Sequence, residues 1–181
     1  SSVTGADPTV GDLPQRDASY KAVYREEGLY ILCTAKTYKF TESNYVSGKA
    51  NNAIAFRNTS LEVQIVKPAG GNAQIWITSY GNVLPRKIES AFSVTPQTVG
   101  TGAESRTLYN VTIEAFVSAD ALKQLLGVTS LDDALSIAAV FTNVSAQGDS
   151  GLSSDPINGG AVTVTTSGFY GTFDKITVEK Q

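Results

Sequence analysis

Apolar and polar positions alternate along two neighbouring segments of the chain. Residues 60–66 place Leu61, Val63 and Ile65 on one face and polar side chains on the other. Residues 73–80 repeat the alternation after a glycine-rich turn. Because successive side chains of a strand point to opposite sides, a period of two predicts two strands that each bury one face.

Further strand patterns precede and follow this pair. Residues 19–25 and 29–37 flank a short acidic turn and predict a hairpin. Residues 107–117 alternate again, with Phe116 among the outward positions. Three later segments complete the predicted strands, namely residues 136–144, 161–166 and 169–179.

One helix is predicted directly after the strand that ends at Val117. Ser118 is a suitable N-cap, Asp120 lies in the first turn and Gly127 stops the helix. Residues 131–135 predict a second helical turn. Many short strands with one or two short helices predict an all-β fold, a two-sheet antiparallel β-sandwich of the jelly-roll type.

The composition fits one domain with a weakly charged surface. Of the 181 residues, 41% are hydrophobic and 17% are charged, and the net charge is -3. Residues 1–16 lack periodicity and predict an irregular lead-in to a single domain over residues 17–181. The 14 Lys and Arg residues are scattered singly, which argues against nucleic acid as a partner. No apolar run approaches the roughly 18 residues of a membrane span, so no membrane insertion is predicted.

The sequence contains neither histidine nor methionine, and the absence of histidine excludes several kinds of catalytic and metal site. Without histidine the chain has no Ser-His-Asp or Cys-His pair, no histidine general base and no imidazole-bound zinc. Without methionine it lacks a start codon of its own, so we expect a mature or excised product. The lone Cys33 cannot form an internal disulfide and is predicted to be a buried strand residue.

Four segments, taken in order, carry a resemblance to known domains. Residues 20–31 read as a strand, an acidic turn, Leu-Tyr and an apolar strand, and residues 56–63 read Phe-Arg-Asn-Thr-Ser-Leu-Glu-Val. Residues 76–82 supply a strand that ends in a glycine turn, and residues 109–122 a strand-to-helix corner. This order resembles the family 9 carbohydrate-binding modules and the wider DOMON-like β-sandwich group. The resemblance implies a sandwich, a carbohydrate ligand and a secreted or cell-surface location.

The chain departs from the pattern of that family at several positions. Phe56 stands where the family has Trp, Thr59 where it has Asp, and Val117 where it has Pro. Family sites typically hold a sugar between two tryptophans, whereas Trp76 is the only tryptophan here. The resemblance therefore supports the fold more than it supports a particular sugar.

Aromatic and polar residues at outward strand positions form a candidate sugar site. A sugar ring offers an apolar C–H face for stacking and an edge of hydroxyl groups for hydrogen bonds. Trp76 and Tyr80 share one strand face and are predicted to stack on sugar rings. The side chains predicted to bond the hydroxyl groups are Glu62, Gln64, Asn110, Glu114 and Arg57.

These residues also have structural interpretations. Trp76 can instead cover the core, and Glu62 and Glu114 can bond to each other or to Arg57. The two glutamates could form a glycosidase pair only at about 5–10 Å in a deep cleft, and nothing else favours hydrolysis, so we predict no catalytic residues. Residues 132–133 and 149–155 lack the spacing of a calcium loop, so no metal ligand is predicted. A structural calcium ion is the one cofactor that the resemblance allows.

Two functions stay open. The first is a non-catalytic carbohydrate-binding module of a larger secreted or cell-surface protein, with a polysaccharide or oligosaccharide as ligand and the other domains of that protein as partners. The second is a structural or adhesive spacer domain without a sugar site. An exposed Trp76 beside a groove would favour the first, and a Trp76 packed beneath the helix would favour the second.

Overall fold

The computed structural model describes residues 2–6, 14–37, 40, 59–79, 81–84, 88–142, 161–163 and 176–181. Along the chain these residues form eleven strands and helix α1 (Ala119–Leu126). The strands are β1 (Ser2–Ala6), β2 (Pro14–Arg25), β3 (Gly28–Thr37), β4 (Ser60–Val66), β5 (Asn72–Thr78), β6 (Gly81–Leu84), β7 (Glu89–Val99), β8 (Arg106–Ser118), β9 (Ala134–Thr142), β10 (Ala161–Thr163) and β11 (Ile176–Glu179).

The strands pair into two antiparallel sheets. Sheet A has the order β1-β2-β3-β8-β7. Sheet B has the order β10-β9-β4-β5-β6, and β11 also pairs with β9. This arrangement confirms the predicted all-β, two-sheet antiparallel sandwich with a short helix.

The core lies between the sheets and is built from alternate residues of the central strands. On β3, Leu29, Ile31 and Cys33 point inward and are buried, as the period-two pattern requires. Burial in this apolar environment raises the pKa of the Cys33 thiol to about 12, so the thiol stays protonated and unreactive at neutral pH. The main buried side chains from the other strands are Leu61, Val63, Ile65, Ile75, Ile77, Val111, Ile113, Val117, Ile137 and Phe141.

Helix α1 follows its sequence signals closely. The Ser118 hydroxyl accepts a hydrogen bond from the Ala121 backbone N–H at 3.2 Å, which caps the first turn. Gly127 ends the helix in the left-handed conformation, with φ 71°. Leu122 and Leu126 are buried in the core, so the helix covers one end of the sandwich.

Two segments differ from their predictions. The helical turn predicted for residues 131–135 is wrong, because Ala134 and Leu135 open β9 and pair with β11. Strand pairing therefore overrides the local helical signal there. The segment 1–16, predicted to be irregular, contributes β1 and the first residues of β2. The segments 41–52 and 147–160, whose polar composition predicts long loops, lie outside the described residues.

The last described residues join the two sheets at one corner. The Lys180 backbone N–H donates to the Asp133 carbonyl oxygen at 2.6 Å, and the Gln181 N–H donates to the Tyr24 carbonyl oxygen at 2.9 Å. The Tyr24 hydroxyl donates to the Asp132 carbonyl oxygen at 3.2 Å, and the Lys180 ammonium lies 5.5 Å from the centre of the Tyr24 ring. Tyr24, Asp132, Asp133, Lys180 and Gln181 are called the closing corner below.

Candidate ligand-binding face

The structure divides the predicted sugar-binding residues between the two sheets. Glu62, Gln64 and Trp76 lie on β4 and β5 of sheet B, whereas Asn110 and Glu114 lie on β8 of sheet A. Each group alternates with core residues of its own strand, so the two groups face outward on opposite sides of the sandwich. Glu62 and Glu114 therefore do not form a pair. Tyr80 and Arg57 lie outside the described residues.

The outward face of sheet B is buried where the sugar site was predicted. Trp76 is 1% exposed, Glu62 2% and Gln64 5%. Trp76 lies on the face of β5 opposite the core, and α1 packs on β3 and β8 of the other sheet. Trp76 is thus neither exposed beside a groove nor packed beneath the helix.

Glu62 stands at the centre of a buried amide network. One of its carboxylate oxygens, Oε1, accepts hydrogen bonds from Gln64 Nε2 at 2.8 Å and from Gln74 Nε2 at 3.2 Å. Asn72 Nδ2 in turn donates to Gln64 Oε1 at 2.6 Å. Burial raises the pKa of Glu62, and the two amide bonds offset part of that rise. This network orders the outward side of β4 and β5, which gives the predicted site residues Glu62 and Gln64 a structural role.

The outward face of sheet A, in contrast, carries exposed aromatic and polar side chains in ordered rows. Strand register places one residue from each of β2, β3, β8 and β7 side by side in every row. Three such rows make up what we call the sheet A face. The aromatic row is Val23, Tyr30, Phe116 and Glu89; the central row is Lys21, Leu32, Glu114 and Ala91; the hydroxyl row is Ser19, Thr34, Thr112 and Ser93.

Two rings dominate the aromatic row. The Tyr30 and Phe116 ring centroids are 4.6 Å apart, with 33° between the ring planes. Tyr30 is 39% exposed, and Ile176 is the other large hydrophobic residue with comparable exposure in the described ranges. A groove of about 580 Å³ lies over the aromatic and central rows. Its size is within the range of small-ligand sites.

The turn before β3 holds the two rings in place. The Tyr30 hydroxyl donates to Glu27 Oε1 at 3.2 Å, and the Glu27 carbonyl oxygen accepts the first helical N–H, from Ala119, at 2.9 Å. Gly28 has φ 149°, and a Cβ there would lie 2.9 Å from Cε2 of Phe116 and still closer to the Val117 carbonyl oxygen. Gly28 therefore allows the Phe116 ring to lie over the turn. The two rings are thus held in position before a ligand binds.

The hydroxyl row borders the groove and supplies neutral hydrogen-bonding groups. Ser19 Oγ and Thr34 Oγ1 lie 3.1 Å apart across neighbouring strands. Beyond this row, Asn110 Nδ2 donates to Gln97 Oε1 at 3.4 Å, so the predicted ligand residue Asn110 is held against β7. Glu114, also predicted, is exposed in the central row and lines the groove.

Sequence reasoning missed the two rings of this face. Phe116 stood among the outward positions of a predicted strand, and Tyr30 alternates with the buried Leu29 and Ile31. Alternation could therefore have placed both rings outward. Their contact depends on the pairing of β3 with β8, which joins parts of the chain far apart in sequence and leaves no local signal.

The acidic side chains and the one α-helix of the described residues bear on metal binding and on membrane insertion. Within the described ranges, no three acidic or thiol side chains come together as a set of metal ligands. Asp132 and Asp133 lie at the closing corner, where their backbone oxygens accept hydrogen bonds. The helix in the described part of the chain is too short to cross a bilayer.

Comparison with known proteins leaves the family open. No protein-family model, curated protein or solved structure matches the chain. The resemblance to family 9 carbohydrate-binding modules stays a prediction, and the functional argument depends on the sheet A face itself.

Proposed function

We propose that this domain is a non-catalytic carbohydrate-binding module of a larger secreted or cell-surface protein, and that its ligand binds on the sheet A face. The observation that carries the proposal is the Tyr30–Phe116 ring pair, with Tyr30 exposed and Phe116 half-buried, on the same face as a row of hydroxyl groups. Aromatic rings stack on the C–H face of a sugar, and hydroxyl and carboxylate groups bond its edge.

Of the predicted residues, Glu114 belongs to this site and Asn110 lies next to it. Glu114 lines the groove and is placed to accept hydrogen bonds from sugar hydroxyl groups, and Asn110 lies one row beyond the hydroxyl row. Trp76, Glu62 and Gln64 are assigned a structural role, because their side chains are buried on the other sheet. Tyr30 and Phe116 replace Trp76 as the stacking residues.

The affinity for a single sugar should be weak. Two rings and a few hydrogen bonds must offset the loss of ligand freedom before any net binding appears. Attachment of this domain to other domains of the same protein would then raise the effective affinity for a polymer.

The first experiment is affinity gel electrophoresis on a panel of soluble polysaccharides, followed by calorimetry on any that retards the protein. Tyr30→Ala and Phe116→Ala are each expected to lower the affinity at least tenfold, because each removes one stacking ring. Ile176→Ala is the matched control, since Ile176 is also a large exposed hydrophobic residue (37%) but lies in sheet B. Binding that survives both ring substitutions would contradict the proposed site.

The spacer function is the second candidate, and the burial of Trp76 favours it. A domain whose only tryptophan is 1% exposed has no tryptophan platform for a sugar. Wild-type protein that is not retarded by any polysaccharide in the panel would support the spacer function and overturn the proposal.

A further inference from the structure

Given the proposed function, on which this inference depends, we infer that the sheet A face binds an internal stretch of a neutral, linear glycan that runs across the strands. Three features of the face carry this inference: the direction of its rows, its open ends and its balance of charge.

The rows set the direction. Each row crosses β2, β3, β8 and β7, with hydroxyl groups on all four strands of the hydroxyl row and rings on the two middle strands of the aromatic row. At the usual strand spacing a row is roughly 14 Å long, which is room for a short run of linked sugar rings. The aromatic and hydroxyl rows lie four residues apart along each strand, roughly 13 Å, with the central row between them. A glycan lying along the groove therefore has ring contacts on one side and hydrogen-bonding groups on the other.

The open ends decide between an internal stretch and a chain terminus. β7 is an edge strand of sheet A, and its outward residues Glu89, Ala91 and Ser93 are exposed. At the opposite end of the central row, Lys21 on β2 is exposed as well. A site that recognises a chain terminus must enclose it, whereas a row with exposed residues at both ends lets a longer chain continue past the site.

The charges decide between a neutral and an anionic glycan. Among the residues of the three rows, the charged side chains are Lys21, Glu89 and Glu114, and all three are exposed. One positive charge against two negative charges gives no net attraction for uronate or sulfate groups. The carboxylate of Glu114 lies within the groove and would repel an anionic chain there.

The test has two arms, each measured by titration calorimetry. The first compares neutral polymers (xylan, mannan, mixed-linkage glucan) with acidic ones (polygalacturonate, alginate, heparin). The second uses oligosaccharides of the best-binding neutral polymer, from two to six sugar units, with the reducing end either intact or reduced by borohydride. We expect binding to neutral polymers, a gain of at least tenfold in affinity from two to four units, and a change below twofold when the end is reduced.

Substitution of the hydroxyl row gives a further check. Thr34→Val with Thr112→Val removes two hydroxyl groups and keeps the side-chain shape, so affinity for the longer oligosaccharides should fall several-fold while the fold is kept. Thr177→Val, which makes the same change at an exposed position on β11 of sheet B, is the matched control.

The outcomes separate this inference from the proposed function. A preference for acidic polymers, an affinity that does not rise with chain length, or a loss of binding on end reduction overturns the inference. If such binding still requires Tyr30 and Phe116, the proposed function stands. If neither set of polymers binds, both are wrong.

Discussion

Glu62 shows how one buried side chain affects the whole sandwich. Its carboxyl group is 2% exposed, and two glutamine amides donate to one of its oxygen atoms. Because burial raises its pKa, the folded protein holds this proton more tightly than the unfolded chain does. The contribution of Glu62 to stability is therefore greatest below the unfolded pKa of about 4.3 and is lost as the pH rises through the raised folded pKa.

Glu62→Gln tests this linkage. The amide oxygen can still accept from Gln64 and Gln74, and no charge is buried at neutral pH. We expect the free energy of unfolding at pH 7 to increase by an amount on the order of 1 kcal/mol, with a smaller dependence on pH above 4. Urea unfolding at pH 4, 5.5 and 7 measures both effects, with Glu114→Gln as the exposed control. An identical pH profile in wild type and Glu62→Gln would contradict the argument.

Gly28→Ala tests the position under the Phe116 ring. The new Cβ would clash with the Val117 carbonyl oxygen and approach the ring, and φ 149° is unfavourable for alanine. We expect a loss of about 1–3 kcal/mol in the free energy of unfolding and weaker glycan binding. Gly70→Ala is the matched control, because Gly70 also has a positive φ but no atom within 4 Å of the added Cβ. Equal losses in the two variants would show that close packing at Gly28 contributes nothing.

At the scale of elements, local sequence signals are sufficient to predict a strand or helix where contacts between neighbouring residues determine its structure. The alternation of β8 and the caps of α1 follow from short-range chemistry, and the structure confirms them. β4 places Leu61, Val63 and Ile65 in the core as predicted, but its polar face is buried as well. β7 carried no clear signal, because an edge strand with one partner tolerates Pro96 and many polar residues. Residues 131–135 were wrongly predicted to be helical, because pairing of β9 with β11 lies outside any local window.

Ser118→Ala tests the junction between β8 and α1. The substitution removes the acceptor for the Ala121 N–H and should lower the free energy of unfolding by about 1 kcal/mol. Ser118→Asp supplies another capping oxygen and should recover most of that loss. Chemical denaturation of both variants measures the effect. Should aspartate and alanine destabilise the protein equally, the hydroxyl bond would not be the cause.

At the scale of the whole molecule, the sequence could place side chains on faces but could not assign strands to sheets. Glu62 and Glu114 were both correctly predicted to face outward from their strands. Period two contains no information on which strands pair, so residues from two sheets were assigned to one surface. The site proposed on sheet A depends on strand register, which only the folded chain defines.

The closing corner has a consequence for the order in which the chain is synthesised. β2 and β3 can pair as soon as they leave the ribosome. In contrast, β3 can pair with β8, and β4 with β9, only after the later strand has been synthesised. The carbonyl group of Tyr24 can accept its hydrogen bond only after Gln181 has been added. Each of these late pairings must overcome the entropy of closing a long loop, which slows folding. A nascent chain of this protein therefore carries open strand edges through most of its synthesis, and those edges can pair with other chains and aggregate until their partners are made.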